Sequence, residues 1–267
     1  MNNVSFGQYY PANSFLHKCD PRQKIVFLVL YIVAVSLSQT FYALGACALV
    51  LILAIACSRV PLRSLLKSIK PVLFLLLFTA VLNLFFHPGE TPLWKGSFIT
   101  KEAVYFTLFL SLRLCLLVMV SSLLTLTTTP VSLTDGVESL LTPLKWLRFP
   151  VHELALIMSL ALRFIPTLSE QTSRIMNAQK ARGTDFETGS LVKRVKAVVP
   201  ILIPLLISAF RSSEELGDAM SARCYSGSKK RTKYKKLTFT WRDILSLIVG
   251  VALLTGVILM RIYLPAL

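Results

Sequence analysis

Acidic residues are scarce in this chain: 13 Asp and Glu stand against 29 Lys and Arg, a formal charge of +16 over 267 residues. Cysteine is scarce too. Cys19, Cys47, Cys57, Cys115 and Cys224 are scattered without the spacing of a disulfide framework or a zinc site, and leave the redox compartment open. Three of them, Cys47, Cys57 and Cys115, lie in apolar runs, where a small hydrophobic role is the default. The three histidines, His17, His87 and His152, form no ligand pattern, and His152-Glu153 lacks the second histidine of a zinc-protease helix. His17 is expected to be structural or superficial. Between Gly183 and Gly189-Ser190 there is one residue too many for a phosphate loop and no lysine before the serine, so no nucleotide site is expected. No nucleophile, base and acid fall into a constellation. Residues 1–22 lack an apolar stretch after a basic start, so no cleaved signal peptide is expected. These absences point to a non-enzymatic chain with no catalytic residue, metal or cofactor of its own.

Apolar sequence is abundant. Hydrophobic residues make up 54% and the mean hydropathy is +0.66, a combination rare in soluble domains. Spanning-type runs cover Ile25 to Leu37, Phe41 to Cys57, Val72 to Phe86, Ala103 to Leu126 (broken by Arg113) and Ile244 to Met260. The first three are short for a hydrocarbon core of about 30 Å, which places their polar flanks in the interface. Basic residues set the orientation. Lys18, Arg22 and Lys24 precede the first run, Arg59, Arg63, Lys67 and Lys70 follow the second, and residues 128–240 are strongly basic. The loop from His87 to Lys101 has only Lys95 and Lys101, opposed by Glu90. The pattern predicts an all-α integral membrane protein with about five transmembrane helices, the N-terminus inside and the C-terminus outside. The run Lys229, Lys230, Arg231, Lys233, Lys235 and Lys236 contains no acid. It fits the anionic inner face of the lipid bilayer, and no nucleic-acid partner is expected.

Residues 59–70 place Leu62, Leu65, Leu66 and Ile69 on one helical face and Arg63, Lys67 and Lys70 on the other. This predicts a short interfacial helix, with Pro71 starting the third span. The segment 131–240 is unusual. Its apolar stretches, Leu154 to Leu168 and Ala197 to Phe210, are short for full spans. If both crossed, Arg174, Lys180, Arg182, Lys193, Arg194 and Lys196 would lie outside, against the positive-inside rule. Two long cytoplasmic helices are expected instead, roughly residues 151–182 and 191–223. A shorter helix, capped by Ser132 or Thr134, should run through Leu141 to Pro143. The organisation is thus residues 1–130 in the membrane, 131–240 as a cytoplasmic domain of long crossed helices, and 241–267 as the last span.

One six-residue pattern ends both long helices: Ala178-Gln179-Lys180-Ala181-Arg182-Gly183 and Ala219-Met220-Ser221-Ala222-Arg223-Cys224, each preceded by Asn or Asp (Asn177, Asp218). A single arginine at a helix C-terminus is ordinarily explained by the macrodipole and the last carbonyls. Alanines one and four positions before it leave a bare face around which a groove can close, and the planar guanidinium suits a carboxylate or carbonyl cluster there. The repeated frame favours docking to two similar partners. Gly183 suits the left-handed position after a helix, whereas Cys224 predicts a less sharp ending. Arg113 is an intramembrane charge, which is expensive and rarely faces lipid. It is expected to tie to a polar group or carbonyl such as that of Asn83, or to touch another subunit.

At these residues the chain resembles the transmembrane T components (EcfT) of energy-coupling factor transporters, importers related to ABC transporters. The stretch from Tyr10 to Lys24 is similar to the family's N-terminal signature, and Arg163-Phe164-Ile165-Pro166-Thr167-Leu168 to its pattern on the first long coupling helix. Ala181-Arg182-Gly183 matches the first family Ala-Arg-Gly motif, and Ala222-Arg223-Cys224 the second except for cysteine in place of glycine. The resemblance implies a multi-pass scaffold in a prokaryotic cell membrane with a coupling domain of crossed helices. The two helix ends dock in two ATP-binding cassette subunits, and a separate membrane S component binds the vitamin or metal ion. The alternative is a self-contained secondary carrier, which needs a polar path and usually repeated spans. Only Arg113 and Asn83 suggest a path, and no set of spans repeats.

Overall fold

The computed structural model describes residues 9–12, 14–86, 100–143, 150–184, 186, 190–225 and 240–263. The basic run at 229–236, the loop at 87–99 with His87, Glu90 and Lys95, and Gly189 and Gly227 lie outside them, as does the side chain of His152. The described residues form eight helices and no strand: α1 (Pro21–Leu37), α2 (Phe41–Ser58), α3 (Leu62–Phe86), α4 (Lys101–Thr127), α5 (Pro130–Leu141), α6 (Val151–Ala181), α7 (Leu191–Ala222) and α8 (Trp241–Tyr263). They divide into two compact units, residues 1–151 with 237–267, and residues 152–236.

In the first unit α1 is the hub, packed against α2, α4, α5 and α8. Tyr31, Ala34 and Val35 of α1 are fully buried, with Leu44, Cys47 and Leu51 of α2 beside them. A buried phenol needs a partner, and Tyr31 Oη donates to the Cys47 carbonyl at 3.1 Å. Close packing of α5 on α1 requires Gly136: a Cβ there would stand 3.1 Å from Pro21 Cβ and 3.3 Å from the Arg22 backbone nitrogen. By contact, therefore, α5 belongs with α1, and the first unit continues past residue 130 to Val151.

Two local expectations are corrected. Residues 62–70 and the following span are one helix, α3, which runs through Pro71. Proline removes one bond to the preceding turn but does not end a helix whose other backbone groups stay satisfied. The cap of α5 is Thr129, whose Oγ1 accepts from the Ser132 amide at 3.3 Å; Pro130 opens the helix, so Ser132 and Thr134 lie inside it. By length and composition, five of the described helices could cross a membrane, α2, α3, α4, α7 and α8, so α7 joins the expected runs and α1 is shorter than these five. At 17 residues, α1 is roughly 25 Å long. Its partners bury it from several sides, and α7 is the least apolar of the five.

Lys24, near the start of α1, donates to the carbonyl of Thr127 at 3.0 Å and to Thr128 Oγ1 at 3.3 Å, at the end of α4. Asp243, in the first turn of α8, accepts from the Asp20 amide at 2.8 Å, just before α1. The start of α1, the end of α4 and the start of α8 therefore lie at one end of the first unit. In the second unit, α6 and α7 are joined by Ser208 Oγ donating to Gln171 Oε1 at 3.0 Å.

Candidate functional site

The ends of α6 and α7 fold alike. After Ala181, Arg182 holds the capping position and Gly183 takes a left-handed conformation, φ 87°. The Gly183 amide donates to Lys180 O at 3.0 Å and the Thr184 amide to Gln179 O at 3.0 Å. This is a Schellman ending, in which two amides beyond the helix satisfy two of its last carbonyls. After Ala222, Arg223 caps α7 and Cys224 is left-handed, φ 55°. The Cys224 amide donates to Ser221 O at 2.9 Å and the Tyr225 amide to Met220 O at 3.0 Å. The two six-residue patterns therefore match bond for bond. Ala178, Ala181 and Arg182 are exposed, as are Ala219, Ala222 and Arg223. Each tip presents a guanidinium beside a face without bulk.

The expectation of a looser ending at Cys224 is corrected: the cap bonds form and the cysteine adopts the glycine conformation. A side chain in that region costs roughly 1–2 kcal/mol, against about 0.5–1 kcal/mol for the extra chain entropy of glycine. Cys224→Gly should consequently strengthen the last turn of α7. Hydrogen exchange at the amides of residues 224 and 225 should slow by about two- to fivefold, since each 1.4 kcal/mol is tenfold. Cys224→Val should accelerate it, because a β-branched side chain tolerates positive φ worst. Unchanged exchange in both variants would show that the cap is frayed in solution.

Arg113 and Asn83 are not brought together. Asn83 Nδ2 donates to the Thr79 carbonyl of its own helix at 2.8 Å, whereas Arg113 Nη2 donates to the carbonyl of Ser36. Ser36 lies in the last turn of α1, where carbonyls lack helical partners. The turn that follows is near the same level of α4, since Phe41 packs edge-on against Phe109 with ring centroids 5.4 Å apart. Arg113 is central by count along α4 yet meets free backbone there.

The described residues from Tyr10 to Asp20 form a strap ahead of α1. The Tyr10 amide donates to Leu126 O at 3.0 Å. His17 Nε2 lies 2.9 Å from the Tyr10 carbonyl and donates to it, which leaves Nδ1 to accept from Ser14 Oγ at 2.7 Å. Burial pushes the imidazole below its ordinary range and the Cys19 thiol above its own. Asp20 caps α1, accepting from the Arg22 amide at 3.0 Å. The group that closes this end is Asp243, fully buried, whose other oxygen accepts from the Thr240 amide at 2.7 Å. Sequence reasoning missed it, although Thr240-Trp241-Arg242-Asp243 has the Ser/Thr-x-x-acid form that opens a helix. Among the described residues no three His, Cys, Asp or Glu side chains gather as for a metal ion.

The apolar helices define a multi-pass membrane protein, and comparison with known proteins gives its family. The family model described as cobalt transport protein, CbiQ, matches residues 12–234. Proteins described as energy-coupling factor transporter transmembrane protein EcfT are similar over nearly their whole length. That of Brevibacillus brevis is 48% identical, with 95% of this chain and 96% of the relative covered. That of Bacillus subtilis is 46% identical, covering 95% and 98%, and that of Ruminiclostridium cellulolyticum 44%, covering 98% of each. The chain belongs to the EcfT/CbiQ family of energy-coupling factor transporter transmembrane proteins.

Proposed function

We propose that this chain is the coupling scaffold of an ATP-driven importer: Arg182 and Arg223 dock in two ATP-binding cassette subunits, and motion of those subunits is passed to a membrane S component that carries a vitamin or metal ion. The observation that carries this reading is the duplicated Schellman ending with an exposed arginine and flanking alanines. One such end is explained by capping, but capping does not require the alanines to recur in register.

The arrangement of the first unit supports the orientation. With the start of α1, the end of α4 and the start of α8 at one end, the chain between Thr127 and Trp241 must cross the membrane an even number of times. Among α5, α6 and α7 only α7 is long and apolar enough, so an even number means none. Both arginine tips then lie on the side of the basic N-terminal segment, inside by the positive-inside rule, with the C-terminus outside. The apolar stripe Val199, Ile203, Leu206 and Phe210 on α7 is exposed. It suits contact with the membrane surface or the S component.

Affinity purification of the tagged chain from its native membranes tests the proposal. Two ATP-binding cassette subunits and a small membrane protein should co-purify. A chain that purifies alone and transports by itself in proteoliposomes would replace the scaffold with a secondary carrier.

A further inference from the structure

A groove of about 200 Å³ opens in the first unit between α1, α2, α4 and α8, with Phe15 and Leu16 of the N-terminal strap in its wall. Phe27, Val50, Leu53, Leu124 and Leu245 are among its apolar lining. Empty apolar cavities of about 150 Å³ stay dry and take up hydrocarbon, so a groove of this size and lining suits hydrocarbon better than water. It is not sealed: Leu53 is 57% exposed and Leu245 42%.

One end of the groove is cationic. Lys24 lines it beside Thr127 and uses two of its three N–H groups on Thr127 O and Thr128 Oγ1. The Arg242 guanidinium lies 5.5 Å from the centroid of the Phe15 ring in the wall. The neighbouring carboxylates are already engaged by backbone amides: Asp243 by Asp20 and Thr240, and Asp20 by Arg22. The start of α1, the end of α4 and the start of α8 place this cationic end at a membrane boundary, where lipid headgroups lie.

We propose that the groove seats one acyl chain of an anionic phospholipid whose headgroup lies against Lys24 and Arg242. A bilayer supplies such a chain at the right depth, and the two cations select the headgroup. The proposal needs only the membrane placement of the first unit, so it stands or falls independently of ATPase docking.

The test is native mass spectrometry of the full chain, stripped of lipid in detergent and offered equal dioleoyl-phosphatidylglycerol and dioleoyl-phosphatidylcholine. One phosphatidylglycerol per chain should be retained, with a preference over phosphatidylcholine of tenfold or more, about fivefold for each cation near the surface. Arg242→Gln should cut that preference about fivefold. Ala54→Trp fills the groove from α2 and Leu245→Trp from α8, and each should reduce retention of both lipids. Size-exclusion elution as for the parent chain identifies the folded variants, and two facing positions guard against one misfolding. Equal retention of the two lipids, or undiminished retention in a folded tryptophan variant, would overturn the proposal. So would loss of the retained lipid when the chain is captured with a co-purifying membrane protein, which would assign the groove to that protein.

Discussion

Replacing Arg182 and Arg223 together by alanine is expected to strip the ATP-binding cassette subunits from the purified chain and to abolish uptake, while each single variant keeps a weakened complex. The magnitudes separate the two explanations of these residues. An arginine that only complements the end of its helix contributes about 0.3–1 kcal/mol, too little to change assembly by more than a fewfold. Truncating one partner of a desolvated, hydrogen-bonded charge pair costs roughly 2–5 kcal/mol, and each 1.4 kcal/mol is a factor of ten in retention. With two tips on two subunits, one loss leaves the other tip as an anchor, so the effect of the second loss is larger than its single measurement suggests. Lysine at either position should rescue poorly, since an ammonium cannot reproduce the planar fork of donors. Because both arginines are exposed and follow the last helical residue, the variants should fold and elute as the parent does. Co-purification and substrate uptake measured side by side decide the matter. Wild-type uptake in the double variant would leave both arginines as helix-end residues.

The parts of the structure that were legible in the sequence are those governed by neighbours in the chain. The helices expected at roughly 151–182 and 191–223 are found at Val151–Ala181 and Leu191–Ala222, because periodicity and end signals act within a few residues. The matched tips were visible for the same reason. The two left-handed caps show where such signals weaken: Gly183 announces its conformation, while Cys224 adopts it without the residue type that marks it. Pro71 was misread in the opposite direction, as a boundary that the helix ignores. What sequence patterns do not carry is partnership over distance. Arg113 meets Ser36 across 77 positions and Lys24 meets Thr127 across 103. No local rule selects those carbonyls, since the requirement for a carbonyl is met by any unpaired one that packing brings near. Asn83, expected as a partner of Arg113, bonds its own helix instead.

The residue with the widest separation, Asp243, carries the second large expectation. Asp243→Ala should lower the yield of folded, monodisperse chain severely, and more than Asp20→Ala does. Asp243 is fully buried, and its two oxygens accept from the Asp20 and Thr240 amides, the latter 2.7 Å away. The carboxylate thus joins the starts of α1 and α8 across 223 positions, and both helix dipoles favour a negative charge there. Hydrogen bonds to a charged group contribute about 1.5–3 kcal/mol each, and a buried donor left without a partner costs about 1–3 kcal/mol. Losing the carboxylate therefore removes several kcal/mol from a unit whose hub is α1. Asp20 caps a single helix through the Arg22 amide, and its loss should cost about 1 kcal/mol. Asp243→Asn discriminates further: the amide has the same shape but offers one acceptor in place of two, so it should fall between the parent and alanine. Fluorescence-detected size exclusion across a temperature series gives the ranking parent, Asp20→Ala, Asp243→Asn, Asp243→Ala. If Asp243→Ala proves as stable as Asp20→Ala, the α1–α8 junction is held by apolar packing alone, through contacts such as that of Gly250 against Leu30 and Phe27.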